Sequence, residues 1–513
     1  MRKWLPLTAV CLGAFMLLVD VTIVTVALPD MAAEMHTGFA GLQWVMDVYA
    51  LALAALLLGA GSLADRIGRR RVYLGGLGLF AAASLACGLA TGPAGLIAFR
   101  AAQGIGGAAM FATTMALLSA SYRGRDRGVA FGVWGAVNGA AAAAGPVVGG
   151  LLTEQFGWRW IFFINLPVCA LAVYVTLKAV AESRDPQAGR LDLPGMATFT
   201  TGAAAVTYAV IRVGENGWSS GTTLGLFGLG VAAFAGFVLV ELRSSRPVLD
   251  LALFRSPTFV AVMAAGLLLS GAAFSSLVYV SLWLQSAEGM GPVGGGLVLL
   301  PLSAAGFVVA AVAGRLLHGV PPRLTIGGGM LLIGFGALLQ GRMLDAGDGW
   351  AALVPGLVVT GAGVGTATPA LAAAAMGAVA PARAGMAAGA LNTARQLGMA
   401  LGIAVIGAVF HSGLADGLRG SGQGGGTVRA LASGRAGELL AAAPAARDWV
   451  EAAFASGLRE AFWASGVMGL AGAALVALLV RPAGPAAPAG PAPVPGAARG
   501  RADGVPSGER ASA

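Results

Sequence analysis

Charge is scarce in this chain. Asp, Glu, Lys and Arg make up 11% of its 513 residues, whereas 57% are apolar and the mean hydropathy is +0.80. A water-soluble protein of this length needs far more polar side chains to cover its surface, so a soluble fold is excluded. Cysteine is nearly missing too. Cys11, Cys87 and Cys169 fall in or at the edge of separate apolar runs without metal-ligand spacing, which excludes a disulfide framework and a zinc site. They are expected to be small packing residues. The three histidines, His36, His318 and His411, are scattered, so no metal centre and no grouped catalytic base is expected. The chain lacks a phosphate-cradling loop ending in Gly-Lys-Ser/Thr and a dinucleotide fingerprint. No cofactor is therefore expected, and any pumping must draw on an ion gradient or on a separate subunit.

What the chain has in quantity is long apolar runs. About twenty apolar residues in helical form cross a hydrocarbon core of ~30 Å. Fourteen such runs are separated by short polar turns: 6–28, 42–63, 73–91, 94–119, 128–152, 161–180, 194–212, 222–241, 258–283, 294–317, 324–343, 351–376, 385–411 and 461–481. The expected fold class is an all-α polytopic membrane protein with the lipid bilayer as its first partner. The first run is too long for the apolar region of a signal peptide (~7–15 residues), carries Asp20 and ends in ALPDM, so it is read as a span.

Basic residues set the orientation. With the N-terminus in the cytoplasm, 22 of the 32 Lys and Arg residues lie inside and eight outside, five of these eight in one long loop. Both termini are therefore expected in the cytoplasm, with the chain in the cell membrane. The excess of Lys and Arg over Asp and Glu reflects this topology, and no nucleic-acid partner is expected. The long loop, residues 412–460, opens with GSGQGGG and continues with the Ala-rich GELLAAAPAARDWVEAAFASGL, which predicts a mobile start and then a surface helix. The Pro-, Ala- and Gly-rich tail, residues 483–513, is expected to be disordered in the cytoplasm.

Three of the charges inside runs are candidates for energy coupling. Asp20, Asp47 and Arg100 are roughly 12, 8 and 9 Å below the external ends of their helices at 1.5 Å per residue, so they are expected to meet at similar depth. An unpaired charge inside a span is costly, and such residues pair or line water-filled paths. These three are candidate proton-coupling groups, with Asp20 the carrier. Alternative readings are that Asp20 serves only to pair with Arg100, that Asp47 is solvated, or that Arg100 reaches the surface.

GSLADRIGRRR, residues 61–71, packs five charges into one turn between the second and third runs. It places Asp65 and Arg69 at the i,i+4 spacing of a helix-surface pair and sets Gly61 and Gly68 on either side. This stretch resembles the signature loop of the major facilitator superfamily. LIAFRAAQGIGGA, residues 96–108, is similar to that superfamily's fourth-helix motif, with Arg100, Gln103 and Gly104. GAAAAAGPVVGG, residues 139–150, is similar to its exporter motif, with Gly145, Pro146, Gly149 and Gly150, and departs from it at Ala141. The resemblance implies that Gly61, Asp65, Arg66, Gly68 and Arg69 form a cytoplasmic gate latch, with Asp65 facing the start of the thirteenth helix near Arg383. GRLLHGVPPR, residues 314–323, is similar to a decayed second copy of the loop in which His318 replaces the acid.

LLVDVTIVTVALPDM, WRWIFFINLPV and GALNTARQLGMALGIAV resemble the fourteen-helix drug:proton antiporter branch. That resemblance implies two six-helix bundles, residues 1–180 and 258–482, the second including loop 412–460. Residues 181–257 then form a linker with two extra helices. It also implies a proton-coupled exporter of hydrophobic or cationic drugs, antibiotics or related toxic compounds that works by alternating access, with a small molecule and protons as partners and a monomer as the working form. A proton-coupled importer on the same fold is the alternative; an enzyme or a non-transporting receptor fits the residues less well. Residues expected near the substrate cavity are Trp44, Tyr49, Gln103, Phe111, Trp134, Phe274, Tyr279, Asn392 and Gln396. Aromatic residues also serve as interfacial belts and packing.

Overall fold

Each of the fourteen apolar runs coincides with helix in the computed structural model, which describes residues 2–184, 192–244, 247, 249–316, 320–379, 384–419, 421 and 423–480. The helices in chain order are α1 (Leu5–Met35), α2 (Phe39–Ile67), α3 (Arg69–Gly88), α4 (Pro93–Ser121), α5 (Gly124–Phe156), α6 (Trp160–Phe163), α7 (Asn165–Ala179), α8 (Leu193–Asn216) and α9 (Gly221–Arg243). They continue as α10 (Pro257–Phe274), α11 (Ser276–Ser286), α12 (Pro292–Leu316), α13 (Pro322–Met343), α14 (Val354–Gly377), α15 (Ala384–Gly417), α16 (Gly425–Ala432), α17 (Ala436–Ala442) and α18 (Arg447–Leu479). Among the described residues, thirteen stretches are long and apolar enough to cross a membrane, with α6–α7 and α10–α11 each forming one. Helix α5, of 33 residues, matches the remaining run, 128–152; several of its side chains lie outside the described residues. No strand occurs among the described residues.

Local signals explain where these helices start. Proline stands in the first turn of α1, α4, α8, α10, α13 and α14, where its missing N–H breaks no helical bond. Asp192 caps α8 through Gly195 N at 2.9 Å, and Ser256 caps α10 through Phe259 N at 3.4 Å. Between α2 and α3 the chain turns at Gly68, whose φ of 118° is costly for any residue with a Cβ.

The buried apolar core is shared at one end of the molecule and divided at the other. At the end away from Leu5 and Leu479, hereafter the far end, one cluster joins α1 and α2 residues (Val24, Met31, Val45) to residues of α11, α15 and α18 (Val280, Phe410, Phe454). At the terminal end there are two separate clusters. One is built from α1–α4, α5 and α7 around Tyr73, Phe80 and Leu117, the other from α10, α13–α15 and α18 around Phe259, Met330 and Leu371. Helix α8 packs against α9 and also against α2 and α15.

The loop after α15 differs from its expected form. Gly420 and Gly422 lie outside the described residues, but from Gly425 the chain is helical. The expected single surface helix is broken at Pro444, and its second part runs on as α18, which begins at Arg447 instead of near 461. Val428, Leu431, Ala432 and Ala436 are buried in the shared far-end core, so this segment caps that end. Its alternation of apolar residues with Gly hid this face. Cys11, Cys87 and Cys169 are buried and unbonded to one another, as packing residues are. Tail residues 483–513, the decayed loop copy at His318 and the segment around Arg383 lie outside the described residues.

Candidate functional site

Five helices converge on Asp20. Its Oδ2 accepts a hydrogen bond from Arg100 Nη1 at 2.6 Å, and its Oδ1 accepts from Gln103 Nε2 at 2.8 Å and from Asn165 Nδ2 at 3.1 Å. Arg100 and Gln103 stand three residues apart on α4 and so share a face, and Arg100 Nη1 also donates to Gln103 Oε1 at 2.7 Å. Ser84 Oγ of α3 accepts from Gln103 at 2.9 Å and from Asn165 at 3.3 Å. Helix α2 closes the cluster: Val45 O accepts from Arg100 Nε at 3.2 Å, and the Tyr49 ring lies 4.3 Å from the guanidinium carbon. Asp20 and Arg100 are 0% and 1% exposed, so Arg100 does not reach the surface. Satisfying every member is what makes a buried ion pair tolerable in a low-dielectric interior.

Ser84 and Asn165 belong to this cluster and were not picked out from the sequence. Asn165 lies in the quoted WRWIFFINLPV, where an amide inside an apolar run was the available signal; a lone serine in AAASLACG gives none. Asp47, expected to join Asp20 and Arg100, does not. It is fully buried, and among the described residues neither of its oxygens has a hydrogen-bond partner. One turn earlier on α2, Gln43 Nε2 donates to Tyr279 OH at 3.1 Å and to Ile403 O at 3.3 Å, while Tyr279 OH donates to Ile403 O at 2.7 Å. The face of α2 that carries Asp47 is therefore turned toward α11 and α15.

The residues expected around a cavity divide into groups. Tyr49 and Gln103 are part of the charge cluster, and Tyr279 is part of the Gln43 network; all three are buried. Trp44 packs edge-on against Tyr208 of α8, with ring centroids 5.5 Å apart, so it faces that helix. Phe111 and Trp134 are half-buried and adjacent, centroids 6.4 Å apart. Phe274 is half-buried where two core clusters meet, and Asn392 and Gln396 are half-buried on α15.

In the charged loop, Asp65 Oδ1 accepts from Arg69 Nε at 2.9 Å and pairs with Arg69 Nη2 at 2.8 Å, as the i,i+4 spacing requires. Arg66 is exposed. A partner from beyond α7 enters here: Glu182 accepts from the backbone N–H groups of Arg70 and Arg71 at 3.0 and 3.2 Å, and Ser183 O accepts from Arg69 N at 2.9 Å. An anion is thereby seated on the positive end of α3. Gly68 is needed beside it, because a Cβ there would meet the Glu182 carboxylate at 2.6 Å. At Gly61 an added Cβ would come no nearer than 4.0 Å to Ala112 of α4, so the space beside it does not demand glycine.

The small residues of α5 make two crossings. Gly145 and Gly149 lie against Thr22 and Ile23 of α1. Gly150 lies on the backbone of Pro292 and Val293 at the start of α12, and Gly296 of α12 lies against the carbonyl of Pro146. Backbones approach this closely only where side chains are missing. Polar bonds cross the same region: Gln285 Nε2 donates to Val26 O at 2.7 Å, and Val293 N donates to Glu154 Oε2 at 3.3 Å.

Comparison with known proteins places this architecture. The chain is 38% identical over 411 residues to multidrug resistance protein Stp of Mycobacterium tuberculosis H37Rv, covering 80% of this chain and 76% of that one. It is 35% identical over 411 residues to the methylenomycin A resistance protein of Streptomyces coelicolor, covering 79% and 85%. To the tetracenomycin C resistance and export protein of Streptomyces glaucescens it is 34% identical over 417 residues, covering 81% and 77%. Its fold is like that of a bacterial homologue of the human lysosomal transporter Spinster, solved in an inward-facing, unoccupied conformation, with a TM-score of 0.61 at 17% identity over 93% of this chain and 97% of that one. The model of the Major Facilitator Superfamily matches residues 10–403, and this multi-pass membrane protein belongs to that superfamily.

Proposed function

We propose that the protein is a proton-coupled exporter of drug-like or antibiotic small molecules, working by alternating access in the cell membrane as a monomer with both termini in the cytoplasm. It is a transporter and carries out no chemical conversion of its cargo. Residues 1–180 and 258–482 act as two six-helix bundles, and α8 and α9 are the inserted pair. Resistance and export are what the names of several relatives describe. The core divided at the terminal end and shared at the far end fits a transporter open toward the cytoplasm.

The observation that carries the coupling is the buried Asp20–Arg100 pair. Protonation of Asp20 removes the charge that holds Arg100, Gln103 and Asn165 together, so one proton loosens the contacts of α1 with α4 and α7. Cargo entering the cytoplasmic opening and a proton entering from outside then favour opposite arrangements, which is antiport. Asp47, buried on α2 with no hydrogen-bond partner among the described residues, is the second candidate carrier. Asp65, Arg69 and the glycines of their loop hold the cytoplasmic gate.

The test is substrate-induced proton release from purified protein. Asp20→Asn is expected to abolish it while substrate still binds. Undiminished release would place the carrier elsewhere, with Asp47→Asn the next variant.

A further inference from the structure

Helix α15 carries a second cation inside its span, Arg395, about 16 Å along the helix from Ala384 at 1.5 Å per residue. Arginines at such depth pair with an acid, as Arg100 does, or face water. Among the described residues Arg395 makes no ion pair or hydrogen bond. The helices packed around it offer it no acid at this level. Helices α10 and α14 contain no Asp or Glu, the acids of α18 (Asp448, Glu451, Glu460) lie toward the far end, and α8 has none before its final turn. On α2, Ala50 and Leu51 pack beside Ala400, and Gln43 meets Ile403. Asp47 is therefore level with about residue 402, roughly 10 Å along the axis from Arg395.

The residue is not sealed inside an apolar core cluster either. The Arg395 stem runs past Gly266 of α10, where an added Cβ would lie 3.5 Å from Arg395 Cγ, and the residue as a whole is only half-buried. Asn392 and Gln396 flank it on the face of α15 that leads, one and two turns on, to Met399 and Ile403. That face borders the region where the core is divided in two. At the matching level of the first half stand Phe111 and Trp134, about 15 Å from the terminal ends of α4 and α5.

We infer that Arg395 is the anion-recognising residue of the transport cavity, and that the cargo is an aromatic or polycyclic compound bearing a carboxylate or comparable oxyanion. The inference rests on the exporter reading above and narrows it, against the expectation of cationic cargo. A guanidinium presents two parallel N–H donors that match a carboxylate, the flanking amides complete its hydrogen bonds, and the aromatic pair takes the ring system. The phosphates of membrane lipids lie at the bilayer surface, well away from a residue at this depth.

The experiment measures binding to purified full-length protein of pyrenebutyrate, its methyl ester and pyrenebutyl-trimethylammonium, read by energy transfer from tryptophan. Wild type is expected to prefer the carboxylate. Arg395→Gln should weaken carboxylate binding about ten- to a hundredfold, the range of a hydrogen bond to a charged group, and leave the ester unchanged; Arg395→Lys should retain most of the preference. Absence of a preference in wild type, preference for the trimethylammonium probe, or equal loss of all three probes in Arg395→Gln overturns the inference. Ester transport driven by a pH gradient in proteoliposomes tests the exporter reading separately. Transport there without carboxylate preference removes the anion site alone; preference without gradient-driven transport removes the exporter reading alone.

Discussion

Arg100 and Asp20, eighty residues apart in sequence, are held 2.6 Å from each other in the middle of the helical bundle, with no access to solvent for the carboxylate. Removing only the cation strands the anion. Arg100→Gln is expected to destabilise the purified protein by about 3–5 kcal/mol, the range for one half of a buried pair. Adding Asp20→Asn to Arg100→Gln should recover a good part of that loss. Thermal unfolding of the two single variants and the double variant in detergent gives the coupling, and strictly additive losses would contradict the pairing.

The seam between α5 and α12 depends on missing side chains. In Gly150→Leu the new side chain meets the backbone of Pro292 and Val293, which has no rotamer to give. Transport is expected to fall severalfold at normal membrane insertion, and a cysteine placed at Val293 should react faster with a membrane-impermeant thiol reagent added outside. Unchanged reactivity would show that the seam closes without Gly150.

Asp65 and Arg69 form a pair that is 41% and 26% exposed, so their bond contributes at most about 1 kcal/mol to folding. Asp65→Asn should therefore leave folding and insertion intact while slowing transport, the outcome expected from the gate role proposed for this charge. Ordinary transport rates at equal expression would take the latch role away from this residue.

Glu288, in the turn between α11 and α12, has its carboxyl raised above the ordinary 4.5 by burial first and by the neighbouring Glu451 second, with Arg447 opposing. The folded state thus holds this proton more tightly than the unfolded chain does. The stabilisation from the proton is complete below the unfolded value and is lost as pH rises through the folded one. Glu288→Gln should flatten that decline and raise the unfolding midpoint at neutral pH. A midpoint that falls in parallel with wild type from pH 4 to 7 would rule the effect out.

The spans were legible because burial in lipid demands uninterrupted apolar runs, and a charge inside one stands out. Asp20, Arg100 and Asp47 were all found that way. What such reasoning lacked was rotation about the helix axis. Depth put Asp47 beside the other two, whereas the face it shares with Gln43 turns it toward α11 and α15. Ser84 and Asn165 were invisible for a different reason: a neutral polar residue costs little in a span, so its presence carries little information until a partner is in place. Glu182 was missed because its role is to meet backbone N–H groups, which every sequence has.

At the far end the α5–α12 crossing is made of glycine against backbone, with hydrogen bonds from Gln285 and Val293 in the same region. Such a contact is shape-specific but shallow, since most of the atoms that would deepen it are absent. In the alternating-access cycle proposed above, parting that crossing gives up little side-chain packing. Swinging a two-state balance from 1:99 to 99:1 takes about 5.5 kcal/mol, a sum that the proposed proton and cargo, each favouring a different state, would supply between them.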